Sequence, residues 1–254
     1  MDRKVRELVY FSLFRVCAGI VVLALLVLIG YILTGGLERL SLEFLTEMPR
    51  RANTQGGIFP AIVGTFYLML IVMVVTVPIG IMSAIYLVEY EQSSWMGRVF
   101  KLAVYNLAGV PSIVYGLLGL GIFVVYLGLG FSLISAGLTL SVMALPLMIS
   151  ASQEAISAVP KSVREASLAL GATKWQTIWH HVLPYALPGI FTGIILSVSR
   201  AAGETAPLML TGVAMSLSRL PDSFFDSFMA LPYHIYYMAT DRKSTRLNSS
   251  HVSQ

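Results

Sequence analysis

"EASLALGATKWQTIWHHVLP", residues 165–184, carries an acid, a lysine, two tryptophans and two adjacent histidines between two long apolar runs. Its pattern predicts two short helices. In the first, Val163, Ala166 and Leu170 share a face at spacings of three and four. Gly171 stands where a left-handed cap would end it. Thr173 followed by Gln176 matches a capping box, so a second helix starts at once. That helix sets Trp175, Ile178, Trp179 and Val182 on one stripe and Lys174, Thr177 and His181 on another. Pro184 marks its end or a sharp turn into the next run. Such an insert fits equally a docking lever or an interfacial loop whose tryptophans rest at lipid headgroups.

The flanking sequence says what it is inserted into. Hydrophobic residues make up 56% of the chain and charged residues 12%, with a mean hydropathy of +0.78. Soluble domains carry about 25% charged residues. Apolar runs long enough to cross a bilayer, about 20 residues each, recur along the chain. They lie near 11–33, 60–88, 102–127, 133–149 and 185–204, with "EYEQSSWMGR" (89–98) and "GLGFS" (128–132) as turns. The expectation is an all-α, polytopic membrane helical bundle of about five spans, with no room for a separate soluble enzyme. The net charge of +4 does not form a nucleic-acid patch, because the basic residues flank the spans. The lipid bilayer is the expected partner, and nucleic acid is not. Cys17 is the one cysteine, so no intrachain disulfide can form, and a buried, unmodified thiol is expected.

Lys and Arg near span ends set orientation. An inside N-terminus leaves nine of them on inner segments and four on outer ones up to residue 241. The N-terminus, 1–10, and the insert are therefore expected on the cytoplasmic side. Residues 11–240 form the transmembrane domain, with the cytoplasmic loop near 154–184.

Glu165, Ala166, Gly171, Leu183 and Pro184 at these spacings resemble the EAA loop of ABC-importer permeases, a MetI-like transmembrane domain. The resemblance implies a coupling helix that fits a groove on an ATPase, with Glu165, Ala166, Gly171 and Pro184 as its coupling residues. Ser167 replaces the family's second alanine, and His181 stands where an aliphatic residue is usual. "NLAGVPSIVYGLLGLG" (106–121) and "SRAAGETAPLMLTG" (199–212) resemble phosphate permeases of the PstA type, nearly continuously from Gly57 to Thr240. That resemblance implies a bacterial or archaeal plasma-membrane subunit of a phosphate importer. Its partners would be a second, PstC-type permease, two cytoplasmic ATP-binding subunits and an external phosphate-binding protein.

Arg200 lies about 24 Å along a helix that begins at Pro184. An arginine in hydrocarbon costs about 2.5–3.5 kcal/mol on insertion scales, so it faces a pathway or a partner. A guanidinium also matches a tetrahedral oxyanion. Glu204, four residues on, is expected within reach of Arg200 on the same helical face. Arg200, Glu204 and Pro111 are the candidate pathway residues, and a self-neutralising Arg200–Glu204 pair is the alternative. Pro111, Gly109 and Gly116 would break or thin the third span.

No P-loop, nucleophile elbow or clustered catalytic set occurs, so no catalytic residues and no cofactor are expected in this chain. His180 and His181 point about 100° apart on a helix and lack a partner at ligand spacing, so no metal site is expected. The rivals are an importer of sulfate, molybdate or phosphonate, and a secondary transporter, which would call for inverted repeats. Permeases of this type return through a sixth span. Here residues 241–254, "DRKSTRLNSSHVSQ", hold only Leu247 and Val252 as aliphatics. The expectation is a non-native or disordered tail after a truncated gene, with the sixth span missing.

Overall fold

The computed structural model describes residues 3–37, 40–50, 55–91, 95–217 and 219–240. The tail expectation for 241–254 and two of the outer arginines, Arg39 and Arg51, lie outside them. The chain divides into two units, residues 1–47 and 48–254.

The first unit is α1 (Arg3–Gly36) followed by the short α2 (Leu42–Thr46), which Ser41 caps by accepting from the Phe44 amide at 3.1 Å. The most apolar 18 residues within Glu7–Gly36 have a mean hydropathy of 3.0, as a membrane span requires. Cys17 is free and exposed on α1. This corrects the expected buried thiol: among the described residues of its own unit, no other element packs over this part of α1.

Near the start of the second unit two short antiparallel strands pair, β1 (Pro49–Arg50) and β2 (Gln55–Gly56). Three long helices then form the bundle: α3 (Phe59–Ile85), α6 (Leu133–Ser157) and α9 (Leu183–Ala202). α3 continues through a π-helical turn at Tyr86–Tyr90, so the span is Phe59–Tyr90. Between α3 and α6, the third apolar run is not one straight helix. α4 (Trp95–Ala108) and α5 (Ser112–Gly119, extended by a π-helical stretch to Tyr126) meet at a 100° bend. Pro111 caps α5 with φ −58° and ψ 140°, an extended conformation that cannot continue α4. The described residues thus hold four helices able to span a bilayer, or five if the bent pair counts as one span.

Lipid tails are as apolar as leucine, so helices in a bilayer are held by close packing rather than by escape from water. Small residues provide it here. A Cβ on Gly189 would stand 2.7 Å from the Cβ of Ala155, and one on Gly193 2.8 Å from that of Ala151, so α9 lies directly against α6. α3 comes as close, since a Cβ on Gly80 would lie 2.5 Å from the Met148 side chain. Two apolar clusters result. One joins Leu68 and Val72 of α3, Leu140 and Ala144 of α6, Ala201, Leu208 and Phe228. The other joins Ala84 and Val88, Met148 and Ile156, and Ile178, Val182 and Ile190.

After α9 the chain folds back. The short α10 (Ala206–Met209) packs against α5, where a Cβ on Gly116 would lie 2.9 Å from Pro207 Cα. Backbone carbonyls from residues 211, 224 and 226 then cover the start of α6, whose first amides have no partner within the helix. Ser132, Leu133 and Ile134 donate to the carbonyls of Thr211, Asp226 and Phe224, and Ser135 donates to Ser132 Oγ. A final helical segment, 231–240, is tied to α3 by the Leu231 amide, which donates to Thr65 Oγ1 at 2.9 Å.

Candidate functional site

The insert begins later than its polarity suggested, since α6 runs to Ser157. α7 (Lys161–Ala169) follows Pro160, and Gly171 takes φ +86°, the left-handed turn read from the sequence. The Gly171 amide donates to Leu168 O at 3.0 Å, and the Ala172 amide to Ser167 O at 3.3 Å, closing the elbow. α8 (Lys174–Thr177) starts with the capping box in full: Thr173 Oγ1 accepts from the Gln176 amide, and Gln176 Oε1 accepts from the Thr173 amide.

Three details differ from the sequence reading. The packed face of α7 is not Val163–Ala166–Leu170: Ala166 and Leu170 are exposed, Leu170 at 90%, while Ser167 is buried. The reason is a polar contact, Ser167 Oγ to Thr177 Oγ1 at 2.9 Å, which turns α7 toward α8 and takes Thr177 off the supposed solvent stripe. The tryptophans do not join the buried stripe either. Ile178 and Val182 are buried, whereas Trp175 and Trp179 stack on each other at 5.8 Å and stay half exposed. Pro184 ends nothing: α8 passes through a π-helical turn (Ile178–Val182) into α9, giving one helix from Lys174 to Ala202. Pro184 sits in the first turn of α9, directly after that π-helical turn.

Glu165, Ala166 and Gly171 are all exposed, as are His180 and His181. Together with Leu170, Ala172 and Gln176, three of these five (Gly171 and the two histidines) line a shallow groove beside the elbow. Among the described residues no three His, Cys, Asp or Glu side chains gather as a metal site would need.

The structure also supplies two residues the motif reading passed over. Glu89, at the end of α3, is 8% exposed and pairs with Arg164 of α7 at 2.8 Å. The same guanidinium donates to Val159 O at 2.6 Å and Ile156 O at 2.9 Å, closing the end of α6. Lys174 of α8 donates to Glu89 O and lies 4.5 Å above the Tyr90 ring. The sequence did carry a signal: Glu89 is the first charge after the apolar run from Phe59.

At the other end of α9, Arg200 is exposed in the last turn. Glu204 does not share its helical face. α9 ends at Ala202, and Gly203 and Glu204 curl back to the carbonyls of Arg200 and Ala201. Among the described residues no ion pair joins Arg200 to Glu204, so the self-neutralising pair is not formed. Pro111 is exposed at the α4–α5 bend, which Tyr115 braces by donating to Leu107 O at 2.8 Å.

Residues 76–239 match the family model described as "Binding-protein-dependent transport system inner membrane component". The chain belongs to this family. It is a multi-pass, non-catalytic membrane component of an ABC transporter. Among this permease family's members, it is 36% identical over 211 residues to a "Probable ABC transporter permease protein YqgI" of Bacillus subtilis, covering 83% of this chain and 72% of that one. It is 42% identical over 187 residues to "Phosphate transport system permease protein PstA 1" of Mycobacterium tuberculosis, covering 73% of this chain and 60% of that one. It is 38% identical over 182 residues to the PstA of Yersinia pestis, covering 71% and 61%. The chain thus spans about three fifths of the length of these two phosphate permeases. A solved inward-facing structure of the MetNI methionine ABC transporter aligns with a TM-score of 0.49 at 23% identity, covering 57% of this chain and 68% of that one.

Proposed function

We propose that this chain is one membrane-spanning subunit of an ATP-driven importer of inorganic phosphate. The insert from Lys161 to Pro184 couples it to a cytoplasmic ATPase through Glu165, Ala166 and Gly171. Arg200 lies on the substrate pathway, with Glu204 and Pro111 shaping its surroundings. The partners in this reading are a second, PstC-type permease, two ATP-binding subunits and an external phosphate-binding protein. The N-terminus and the insert face the cytoplasm, in line with the distribution of Lys and Arg. This chain supplies no cofactor chemistry.

One observation carries the substrate class. Arg200 is the only charged residue on the 20-residue α9 and has no carboxylate at ion-pair distance among the described residues, in a chain whose relatives include phosphate permeases by name. A guanidinium in that position presents a rigid fork of donors suited to a tetrahedral oxyanion. The name of the Bacillus subtilis relative specifies no substrate, which keeps sulfate, molybdate or phosphonate as the rival cargo. The test is ATP-dependent uptake of radiolabelled phosphate and sulfate by the assembled transporter in liposomes. Phosphate uptake with sulfate excluded supports the reading. Uptake that prefers sulfate overturns the substrate, and uptake without an ATPase subunit overturns the importer mechanism.

A further inference from the structure

Both helices of the insert are anchored at one place, the π-helical turn Tyr86–Tyr90 that ends α3. Arg164 of α7 reaches it through the Glu89 carboxylate, with Nε to Oε1 at 2.9 Å and Nη2 to Oε1 at 2.8 Å. Lys174 of α8 reaches it through the Glu89 carbonyl and the face of Tyr90. The same Arg164 holds the Ile156 carbonyl of α6 and the Val159 carbonyl just after it. One guanidinium therefore joins the ends of two membrane helices to the first helix of the insert. Hydrophobic packing alone would not need this arrangement, because Ile178 and Val182 already bury the start of the third helix against Met148 and Ile156.

The pair is shielded from water, with Glu89 8% and Arg164 18% exposed. Ions in such surroundings interact strongly only while geometry is kept, and separating them leaves a charge without a partner. The contact is thus kept or lost as a whole. π-helical turns are rare and recur at functional sites, where one extra residue per turn leaves backbone bonds easier to rearrange. This one carries Glu89 as the fourth of its five residues.

We infer that Glu89 and Arg164 are positioning residues for coupling: their ion pair is the joint through which movement of the insert reaches α3 and α6. The inference rests on the importer reading above and adds to it the route by which the insert acts. Glu165, beside Arg164, faces away into solvent and stays free to meet a partner. Arg164 faces inward and holds the insert to the membrane helices. Adjacent residues of one short helix so divide the two halves of a coupling element.

The test uses the assembled transporter in liposomes, reading phosphate imported and ATP hydrolysed in the same sample. Glu89→Gln keeps the shape and removes the charge. The expected result is normal assembly, continued ATP hydrolysis and a fall of about tenfold in phosphate imported per ATP, within the usual range for coupling between sites. Arg164→Lys keeps the charge but cannot fork to the carboxylate and both carbonyls, and should fall in the same direction. It also decides the matter if Glu89→Gln fails to assemble. An unchanged phosphate-to-ATP ratio in whichever variant assembles, even with both rates lowered together, overturns the joint and makes the pair merely structural. A parent complex that imports no phosphate under ATP overturns the importer reading, and this inference falls with it.

Discussion

Gly171 isolates a single physical effect. It holds φ +86°, and nothing lies within 4 Å of the place a Cβ would occupy, so a side chain there meets no neighbour. The penalty for Gly171→Val is therefore entirely one of backbone conformation, about 1–2 kcal/mol for an L residue in the left-handed region. That shifts the balance between closed and open elbow by about 5- to 30-fold. Two amides report on it directly: Ala172, bonded to Ser167 O at 3.3 Å, and Gln176, bonded to Thr173 Oγ1 at 3.3 Å. Hydrogen exchange on the protein in lipid nanodiscs should show both exchanging faster by that factor, with α3 and α6 unchanged. Gly171→Asn, which tolerates the left-handed region, should stay near the parent. Parental exchange in the valine variant, or asparagine as fast as valine, refutes the reasoning.

Gly193→Ala places a methyl 2.8 Å from Ala151 Cβ and should lower the thermal midpoint in detergent by an overpacking cost of about 1–3 kcal/mol. Adding Ala151→Gly to the same chain should restore most of the loss. His234 is buried with Nδ1 unpartnered, and burial holds its pKa below the ordinary 6.5. The neutral ring is favoured in the folded state, so its contribution is fully present above pH 6.5 and is lost as pH falls through the lower folded-state value. Thermal midpoints from pH 7.5 down to 5 should drop more steeply in the parent than in His234→Asn. Arg200→Gln should lower phosphate uptake while leaving complex assembly at the parental level, as measured by co-purified ATPase. Uptake equal to the parent would remove Arg200 from the pathway.

The spans were legible because a run such as Phe59–Tyr90 needs no partner to declare itself: hydropathy is local. The elbow was legible for the same reason, since a left-handed glycine and a capping box are decided within a few residues. What failed depended on contacts made across the fold. The face of α7 turns on Ser167 finding Thr177, ten residues away and beyond the elbow. The Glu89–Arg164 pair spans 75 residues, and no periodicity marks either partner. The Arg200–Glu204 pairing failed because helical spacing was extended past Ala202, where Gly203 ends the helix. Pro184 misled in the opposite sense. Read as a stop, it falls in the first turn of α9 just after a π-helical turn, where its missing amide breaks little.

That last correction changes how the insert can act in the importer reading. With a hinge at Pro184, movement of α8 would be absorbed before it reached the membrane. Instead one helix of 29 residues, about 43 Å long, runs from Lys174 to Ala202 and carries Arg200 in its last turn. It is buried in one apolar cluster through Ile178, Val182 and Ile190, and near its far end in the other through Ala201. Packed clusters of this kind shift between discrete arrangements rather than deform gradually. Gly189 and Gly193 give α9 a smooth seam against Ala155 and Ala151, with no side chain of its own interlocking there. In the importer reading, a displacement imposed at Trp175 is expected to reach α9 and the Arg200 it carries, because no break separates them.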